Sequence, residues 1–511
     1  MYLRLKFLAQ DKTILESVYL FAKTKRVRLY LVGGILRDTL LARVKQNPDF
    51  DFCLEKGAIN FARLLAKQIK AGFVVLDKEH GACRLVYPVR GKLPEATVGH
   101  LRCPASNGVK KVKGKIYTLD FTDFRGKTLE KDLLHRDFTI NALALELKDV
   151  FAKGNLNNLL IDPYGGRDDL KSKTIKMVNL RAFDEDPLRI LRAFSLSAIF
   201  SLKIEKQTLK LAGLKREKLA EVSFERIRDE LFKILQCHNS FNYFFLLDKL
   251  KILQVILPEI IKMRGIGQGP YHHLDVWQHT LETIKQLEIL YKEVRHNQDI
   301  QQYLDQIISS NRSRKTVIKL GALLHDIGKP AALRREEGKI KFHGHERIGL
   351  GMTEDIGRRF KLSIDEINTL RKIVLWHLRP GYLADCEVLT PRAKFRYFRD
   401  ADKEAISILL ISLADQRATK GPLTTKNSRV RHEKVCKSLI REYFRKKKEK
   451  KPKRLINGDV LIKKLKLEPS PLIGKILSEI EELQAIGKIS TKPQALAAAR
   501  KILGTVLISK K

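Results

Sequence analysis

The stretch Leu31–Phe52, LVGGILRDTLLARVKQNPDFDF, decides how the rest of the chain is read. Tyr30, Leu31 and Val32 are apolar and β-capable, so they predict a strand running into Gly33 and Gly34. Two glycines at a strand-to-helix junction let the backbone approach a bulky group such as phosphate with its N–H donors outward. A short helix follows, with Arg37 and Asp38 in its first turns, and then Asp49-Phe50-Asp51-Phe52. Residues two apart on a strand share a face, so Asp49 and Asp51 project side by side. Paired carboxylates are costly unless a cation lies between them, and hard ions such as Mg²⁺ take oxygen ligands of this kind. The plainer alternative is a glycine turn and a solvated Asp-x-Asp. Their order within one strand–turn–helix–strand unit favours nucleotidyl transfer.

The composition narrows the partners. Lys and Arg number 99 against 58 Asp and Glu, a formal charge of +41, which points to a polyanion: RNA, DNA or an acidic membrane surface. At 511 residues, 44% of them hydrophobic, the chain has room for about three or more domains with full cores. The six cysteines, Cys53, Cys83, Cys103, Cys237, Cys386 and Cys436, form no C-x-x-C pair. That argues against zinc or a disulfide framework and for reduced thiols in a cytoplasm. MYLRLKFLAQDK has no signal-peptide core, and no apolar run is long enough to span a bilayer. A soluble cytoplasmic protein with no membrane partner is expected.

Along the chain, residues 1–28 read as a helical extension centred on Thr13–Lys23, and 29–150 as mixed α/β. A helix is predicted over Ala58–Ala71 and strands over Phe73–Leu76, Cys83–Tyr87, Thr97–Leu101 and Ile116–Phe121. Cys103–Lys115 reads as a basic loop. Helical spacing then dominates: Leu188–Ile199, Phe224–Leu235 and Phe241–Leu250 within 151–250, and most of 251–445 between glycine-rich turns at 264–270 and 338–344. The basic run 441–454, REYFRKKKEKKPKR, is either a solvated linker or an RNA contact. Residues 446–511 read as a basic linker and a helical tail.

Three further stretches add to the transfer site. In TLDFTDFR, Tyr117, Leu119 and Phe121 share an apolar strand face, leaving Asp120 opposite, as a third carboxylate or a solvated strand-end residue. HRDFTINALAL at 135–145 places Arg136, Asp137 and Asn141 at the start of a predicted helix. The arginine suits a triphosphate or ribose, and Asp137 suits a sugar hydroxyl or a helix cap. DEDPLRILRAF opens another helix, with Pro187 in its first turn and Asp186 and Arg189 three apart. They are a surface ion pair or a base reader. Cytosine and adenine both offer an amino donor beside a ring-nitrogen acceptor, so a fixed carboxylate and guanidinium accept both and reject guanine and uracil. Arg192, one turn on, holds phosphate or braces the helix.

The Gly33-Gly34 turn with Asp49 and Asp51 resembles the signature of the polymerase-β-like nucleotidyltransferases. The GGxxRD, DxD, RRDFTIN-like, DPYGGRDDL and EDPxR-like motifs follow the order of the class II tRNA nucleotidyltransferases and the related poly(A) polymerases. The resemblance implies metal ligation by Asp49 and Asp51, sugar binding by Arg136 and Asp137, and base recognition by Glu185, Asp186 and Arg189, with Gly33, Gly34, Arg37, Asn141 and Arg192 completing the nucleotide site. ERIRDEL at 225–231 is similar to the family's neck motif. Two positions depart from the pattern: Ala42 stands for the usual glycine after the RD helix, and Ser195-Leu196 for the usual Arg-Phe.

A second constellation lies further on. LGALLHDIGKP carries His325 and Asp326 in an apolar helix, where such a pair needs partners. His279 and Asp415 complete a nitrogen and oxygen set suited to a divalent metal of unspecified identity, with His343, His345 and His377 available for a second shell or second ion. The set resembles the HD metal phosphohydrolases. The implied fold is α+β: a polymerase-β-like head, then an all-helical neck, HD body and tail. The implied activity is template-independent addition of C, C and A to tRNA from CTP and ATP with Mg²⁺, plus hydrolysis at the HD site. A poly(A) polymerase, a CC- or A-adding enzyme, and an HD phosphohydrolase with an RNA-binding head are the alternatives.

Overall fold

Phe50, Phe52, Tyr117, Leu119 and Phe121 alternate with polar residues along two neighbouring strands, and all five are buried. The computed structural model describes residues 9–43, 49–88, 116–151, 158–449 and 453–508. The expected strand Thr97–Leu101 and basic loop Cys103–Lys115 lie outside the described residues. The chain divides into two units, Met1–Leu257 and Pro258–Lys511.

The first unit begins with α1 (Ala9–Thr24), β1 (Tyr30–Val32), α2 (Gly34–Leu40), β2 (Asp49–Leu54), α3 (Ala58–Ile69), β3 (Gly72–Asp77), β4 (Ala82–Pro88), β5 (Ile116–Asp123), α4 (Leu129–Leu134) and β6 (Ala144–Glu146). The six strands form one sheet in the order β3-β4-β5-β2-β1-β6. Only β2 and β5 run parallel. Ala58, Phe61, Ala62, Leu65 and Ala66 recur at helical spacing on α3 and are buried. Phe61 packs on Phe121 with ring centroids 5.6 Å apart, and Phe52 stacks on Phe121 at 4.9 Å. Each such ring contributes roughly 1.5–3 kcal/mol by leaving water.

The helix expected from His135 onward does not form. Thr139–Asn141 make a single 3-10 turn, and the chain then enters edge strand β6, antiparallel to β1. Phe138, Ile140 and Ala142–Leu145 are all buried, so the run is apolar on every side. Periodicity cannot separate helix from strand in such a run, and the open edge of β1 supplies the backbone partners. Ala42, in the turn after α2, has φ +55°, so an alanine occupies the left-handed conformation that favours glycine.

The neck comprises α5 (Gly166–Lys171), β7 (Thr174–Ile175), α6 (Ala182–Glu185), α7 (Arg189–Phe200), β8 (Lys203–Ile204), α8 (Lys206–Leu214), α9 (Phe224–Gln236), α10 (Ser240–Lys249) and α11 (Leu253–Ile256). It is not all-helical: β7 and β8 pair in parallel, over two residues each, too few to leave a periodic signal. Pro187 precedes α7 rather than sitting in its first turn, and Asp186 is extended, with φ −150°.

The second unit holds α12 (Val276–Glu293), α13 (Gln298–Leu304), β9 (Ile307–Ser309), β10 (Arg312–Ser313), α14 (Arg314–Leu324), α15 (Lys329–Ala332), β11 (Arg334–Glu336), β12 (Lys339–Lys341), α16 (His345–Arg359), α17 (Ile364–Trp376), α18 (Arg379–Asp385), α19 (Pro391–Ala401), α20 (Ala405–Ala418) and α21 (Lys426–Lys448). Here too the expected all-helical body carries two small antiparallel ribbons, β9 with β10 and β11 with β12. Helix α20 is apolar around its circumference, buried from Ala405 to Ala414, and packs on α12, α14 and α17. The basic run from 441 continues α21 to Lys448. The tail helices α22 (Gly458–Leu465), α23 (Pro471–Ala485) and α24 (Lys492–Ile508) enclose their own core, including Leu461, Ile476, Ile480 and Ala495. No helix among the described residues is long and apolar enough to cross a membrane.

Candidate active sites

With Phe50 and Phe52 turned into the core, Asp49 and Asp51 face the other side of the head sheet. Parallel pairing sets Asp49 beside Thr118 and Asp51 beside Asp120. The structure therefore brings Asp120 to the Asp-x-Asp pair. Both Asp120 oxygens accept from Arg84, from Nε and Nη2, each at 2.8 Å. The hydrogen bonding to Asp120 foremost, and the charges of Asp120, Asp49 and Asp51, raise the Arg84 pKa. One guanidinium thus feels three carboxylates, the setting in which divalent cations bind. Gly33 has φ +76°, and a Cβ there would lie 3.1 Å from Arg136 Nη1 and 3.4 Å from Asp51 Oδ2. Glycine is needed for the conformation and for this close approach.

Arg136 reaches Asp132 Oδ2 at 3.6 Å, and its Nε is buried without a hydrogen-bond partner. Asp137 Oδ1 accepts from Asn141 Nδ2 at 2.9 Å and from the Phe138 amide at 2.8 Å. Its Oδ2 accepts from Arg192 Nε at 2.9 Å, with Nη2 at 2.8 Å. Burial pushes the Asp137 carboxyl up, but Arg192, Asn141 and the Phe138 amide outweigh it and hold the pKa below the usual range. Arg37 is buried rather than open to a ligand. It donates to Asn141 Oδ1 at 2.6 Å and to Asp38 Oδ1 at 2.7 and 3.0 Å, and stacks over Phe200 at 4.2 Å. Arg37 and Asn141 therefore brace Asp137 from behind.

The structure brings Glu185, Asp186 and Arg189 together, but Asp186 and Arg189 do not pair. Arg189 donates from Nη1 to the Ala182 carbonyl at 3.2 Å and Glu185 Oε2 at 3.3 Å, and from Nη2 to the His135 carbonyl at 2.5 Å. Asp186 Oδ1 accepts from the Leu188 amide at 3.2 Å, and its Oδ2 from Arg226 Nη2 at 2.8 Å. Ser195, where the family pattern has arginine, donates to buried Glu230. Glu230 also meets Lys233 at 2.8 Å and Arg192 at 3.7 Å, so cations still surround it.

In the second unit, His279 on α12, His325 and Asp326 at the end of α14, His345 opening α16 and His377 closing α17 converge in the interior, all buried, with Asp415 on α20 beside them. Asp326 faces two groups. Its Oδ2 lies 3.2 Å from His325 Nε2 and 3.8 Å from His279 Nε2, while Oδ1 lies 3.4 Å from His345 Nε2 and 3.6 Å from His377 Nε2. His279 Nε2 also lies 2.8 Å from Asp415 Oδ1. Exposed His343 takes no part. The Nδ1 atoms of His325, His345 and His377 lie 2.8, 2.9 and 2.8 Å from the carbonyls of Ala322, Phe342 and Val374. That pins the proton on Nδ1 and turns each Nε2 lone pair inward, as metal-binding imidazoles require. His325 Nε2 and Asp326 Oδ1 are buried without a hydrogen-bond partner. The two triads, His279-His325-Asp326 and Asp326-His345-His377, each fit a divalent ion. Gly328 is required because a Cβ would lie 2.2 Å from the His345 carbonyl oxygen.

Burial pushes the Asp326 carboxyl up, yet His325 and Lys329 hold it well below the usual range. Lys329 Nζ donates to Asp326 Oδ2 and to Gln268 Oε1, each at 2.7 Å. His272 sits edge-on to His279 at 4.8 Å, and burial first, then the His279 charge, push its pKa down to about 4. His272, Gln268 and Arg84 carry no signal in the sequence that marks them, while Arg226 in ERIRDEL and Lys329 in LGALLHDIGKP lie within marked motifs whose pattern does not name their partners. His272 and Gln268 lie in an aperiodic loop, and Arg84 and Arg226 meet partners 36 and 40 residues away in sequence.

Comparison with known proteins fits this layout. Residues 29–176 match the poly A polymerase head domain, 201–263 the probable RNA and SrmB-binding site of polymerase A, and 276–486 the HD domain. An A-adding tRNA nucleotidyltransferase of Deinococcus radiodurans is 30% identical over 482 residues, 91% of this chain and 94% of that one. A CC-adding tRNA nucleotidyltransferase of Thermus thermophilus is 26% identical over 474 residues, 91% and 92% of the two chains. The solved Thermotoga maritima CCA-adding enzyme complexed with tRNA shares the fold, with a TM-score of 0.59 at 21% identity over 98% of this chain and 96% of that one. On these grounds the chain belongs to the tRNA nucleotidyltransferase and poly(A) polymerase family.

Proposed function

We propose that this protein is a template-independent tRNA nucleotidyltransferase that adds C, C and A to tRNA 3′ ends from CTP and ATP, releasing pyrophosphate. The convergence at Gly33 carries the reading: the glycine turn, at φ +76°, lies close between Asp51 and Arg136, 3.4 and 3.1 Å from where its Cβ would be. Metal carboxylate, phosphate turn and sugar-binding arginine meet there. Asp49 and Asp51 would hold Mg²⁺, which when bound supplies activation of the 3′-hydroxyl and charge relief for the leaving pyrophosphate. Asp137, kept ionised by Arg192, accepts from a sugar hydroxyl. Asp186 accepts from the amino group of cytosine or adenine, and Arg189 donates to the ring nitrogen. The charge of +41 suits an RNA backbone. The free thiols of Cys53, Cys83 and Cys436, all buried, agree with an enzyme of the reducing cytoplasm.

The HD cluster supports a metal-dependent phosphohydrolase: His279, His325, Asp326 and Asp415 would hold one divalent ion and Asp326, His345 and His377 a second, which would supply activation of a water. Because the Deinococcus relative is A-adding and the Thermus relative CC-adding, the span of addition is tested directly. tRNAs ending before the first C, after one C and after two are incubated with CTP, ATP or both, and the products sized. Growth by C, C and A, stopping there, supports the proposal. Growth by A alone from the CC end, by CC alone, or into long A tails selects one of the alternatives.

A further inference from the structure

Arg226 stands in the first turn of α9, and the transfer site as described does not use it. Its Nη2 donates to Asp186 Oδ2 at 2.8 Å, across 40 residues of sequence. Asp186 caps α6 with an extended backbone, its N–H donating to the Ala182 carbonyl at 3.4 Å and its carbonyl accepting from the Arg189 amide at 3.0 Å, so its backbone is fixed and its carboxylate is left to side-chain contacts. Two contacts orient its carboxylate: the Leu188 amide on Oδ1 at 3.2 Å and the Arg226 guanidinium on Oδ2. Arg189, the other half of the base reader, is held independently by Glu185 and two carbonyls. The reader thus has one half held by α6 and the His135 carbonyl and the other half fixed from α9.

We infer that Arg226 is a positioning residue for nucleotide choice: it aims the Asp186 carboxylate at the amino group that distinguishes cytosine and adenine from uracil and guanine. The inference rests on the base-reading role of Asp186. An ionised carboxylate offers about four lone-pair sites, so Asp186 accepts from Arg226, the Leu188 amide and an incoming amino group together. An ionised carboxylate has no donor to offer uracil O4 or guanine O6. Without Arg226 the carboxylate turns about its side-chain torsions, the amino-group contact weakens, and the penalty against the wrong base shrinks. The reacting phosphate and the metal carboxylates stay where they were, so the loss falls on KM and on discrimination rather than on kcat.

The test uses the full chain and a tRNA accepting the next nucleotide, with kcat and KM measured for each of the four nucleoside triphosphates in wild type, Arg226→Gln, Arg226→Lys and the pair Asp186→Asn and Asp186→Asn/Arg226→Gln. Arg226 is half exposed, so its replacement leaves folding intact, which the thermal transition checks. Arg226→Gln is expected to raise KM for the cognate nucleotide and lower its preference over UTP and GTP roughly tenfold, with kcat within about twofold. Arg226→Lys recovers most of the preference, and Arg226→Gln adds nothing in the Asp186→Asn background. Unchanged preference in Arg226→Gln, or an equal fall of kcat for all four nucleotides, overturns the inference alone. Wild-type enzyme that incorporates UTP as readily as CTP overturns the base-reading role of Asp186 and the inference with it.

Discussion

Replacing Arg192 by methionine removes the cation that joins Asp137 to the neck. Arg192 gives Asp137 Oδ2 two contacts, at 2.9 and 2.8 Å, and approaches Glu230 at 3.7 Å. Glu230 keeps Lys233 and Ser195, so its charge stays compensated. Asp137 keeps only neutral donors, Asn141 and the Phe138 amide. Breaking a buried pair from one side costs about 3–5 kcal/mol. Because 35% of the Arg192 side chain is exposed, water replaces part of the contact, and the low end, about 3 kcal/mol, is expected. For a unit the size of Met1–Leu257 that lowers the transition by roughly 6–12 °C. Calorimetry on wild type, Arg192→Met and Arg192→Met/Asp137→Asn measures it. The double variant should recover at least about 1 kcal/mol, since no buried charge is then left unpaired. An Arg192→Met transition within about 1 °C of wild type, or a double variant less stable than the single, would refute the reasoning.

Ala42→Gly should stabilise the first unit by about 0.5–1 kcal/mol, because φ +55° penalises alanine by more than glycine loses in unfolded-chain entropy; a lower unfolding midpoint would contradict this. The Asp137 carboxyl lies below its unfolded value of about 3.9, so the stability it contributes is complete above that pH and lost as pH falls through the folded pKa. Denaturant titrations should therefore show wild type losing more stability than Asp137→Asn between about pH 5 and pH 3. Metal analysis after chelation and reloading, in an Asp49→Ala/Asp51→Ala background that removes the head site, should give two divalent ions per chain, one when His345→Ala is added and none when Asp326→Ala is added; a single ion unaffected by His345→Ala would remove the second triad.

Residues 117–121 show how much local pattern carries. Strict alternation puts Asp120 on the face opposite Tyr117, Leu119 and Phe121, and the sheet register then brings it beside Asp51. The HD residues are legible because burying a histidine and an aspartate in an apolar helix is costly unless a metal or charged partners meet them there. The helix expected over 135–145 fails because burial on every side erases periodicity. The partners of Asp186 and Arg189 are out of reach of the sequence on different grounds. On an ideal helix the two are neighbours, but Asp186 is extended, and it turns to Arg226 on α9. That choice depends on tertiary packing, and the ERIRDEL motif around Arg226 does not name its partner.

Nucleotidyl transfer at Asp49 and Asp51 is expected to proceed independently of the HD cluster. The direct measurement compares wild type, Asp51→Ala and His325→Ala for incorporation of labelled CTP and ATP into tRNA lacking its 3′ end, and for metal-dependent phosphate release. Asp51→Ala is predicted to lose incorporation by several orders of magnitude while phosphate release persists, and His325→Ala to show the reverse. Incorporation retained by Asp51→Ala would contradict the account.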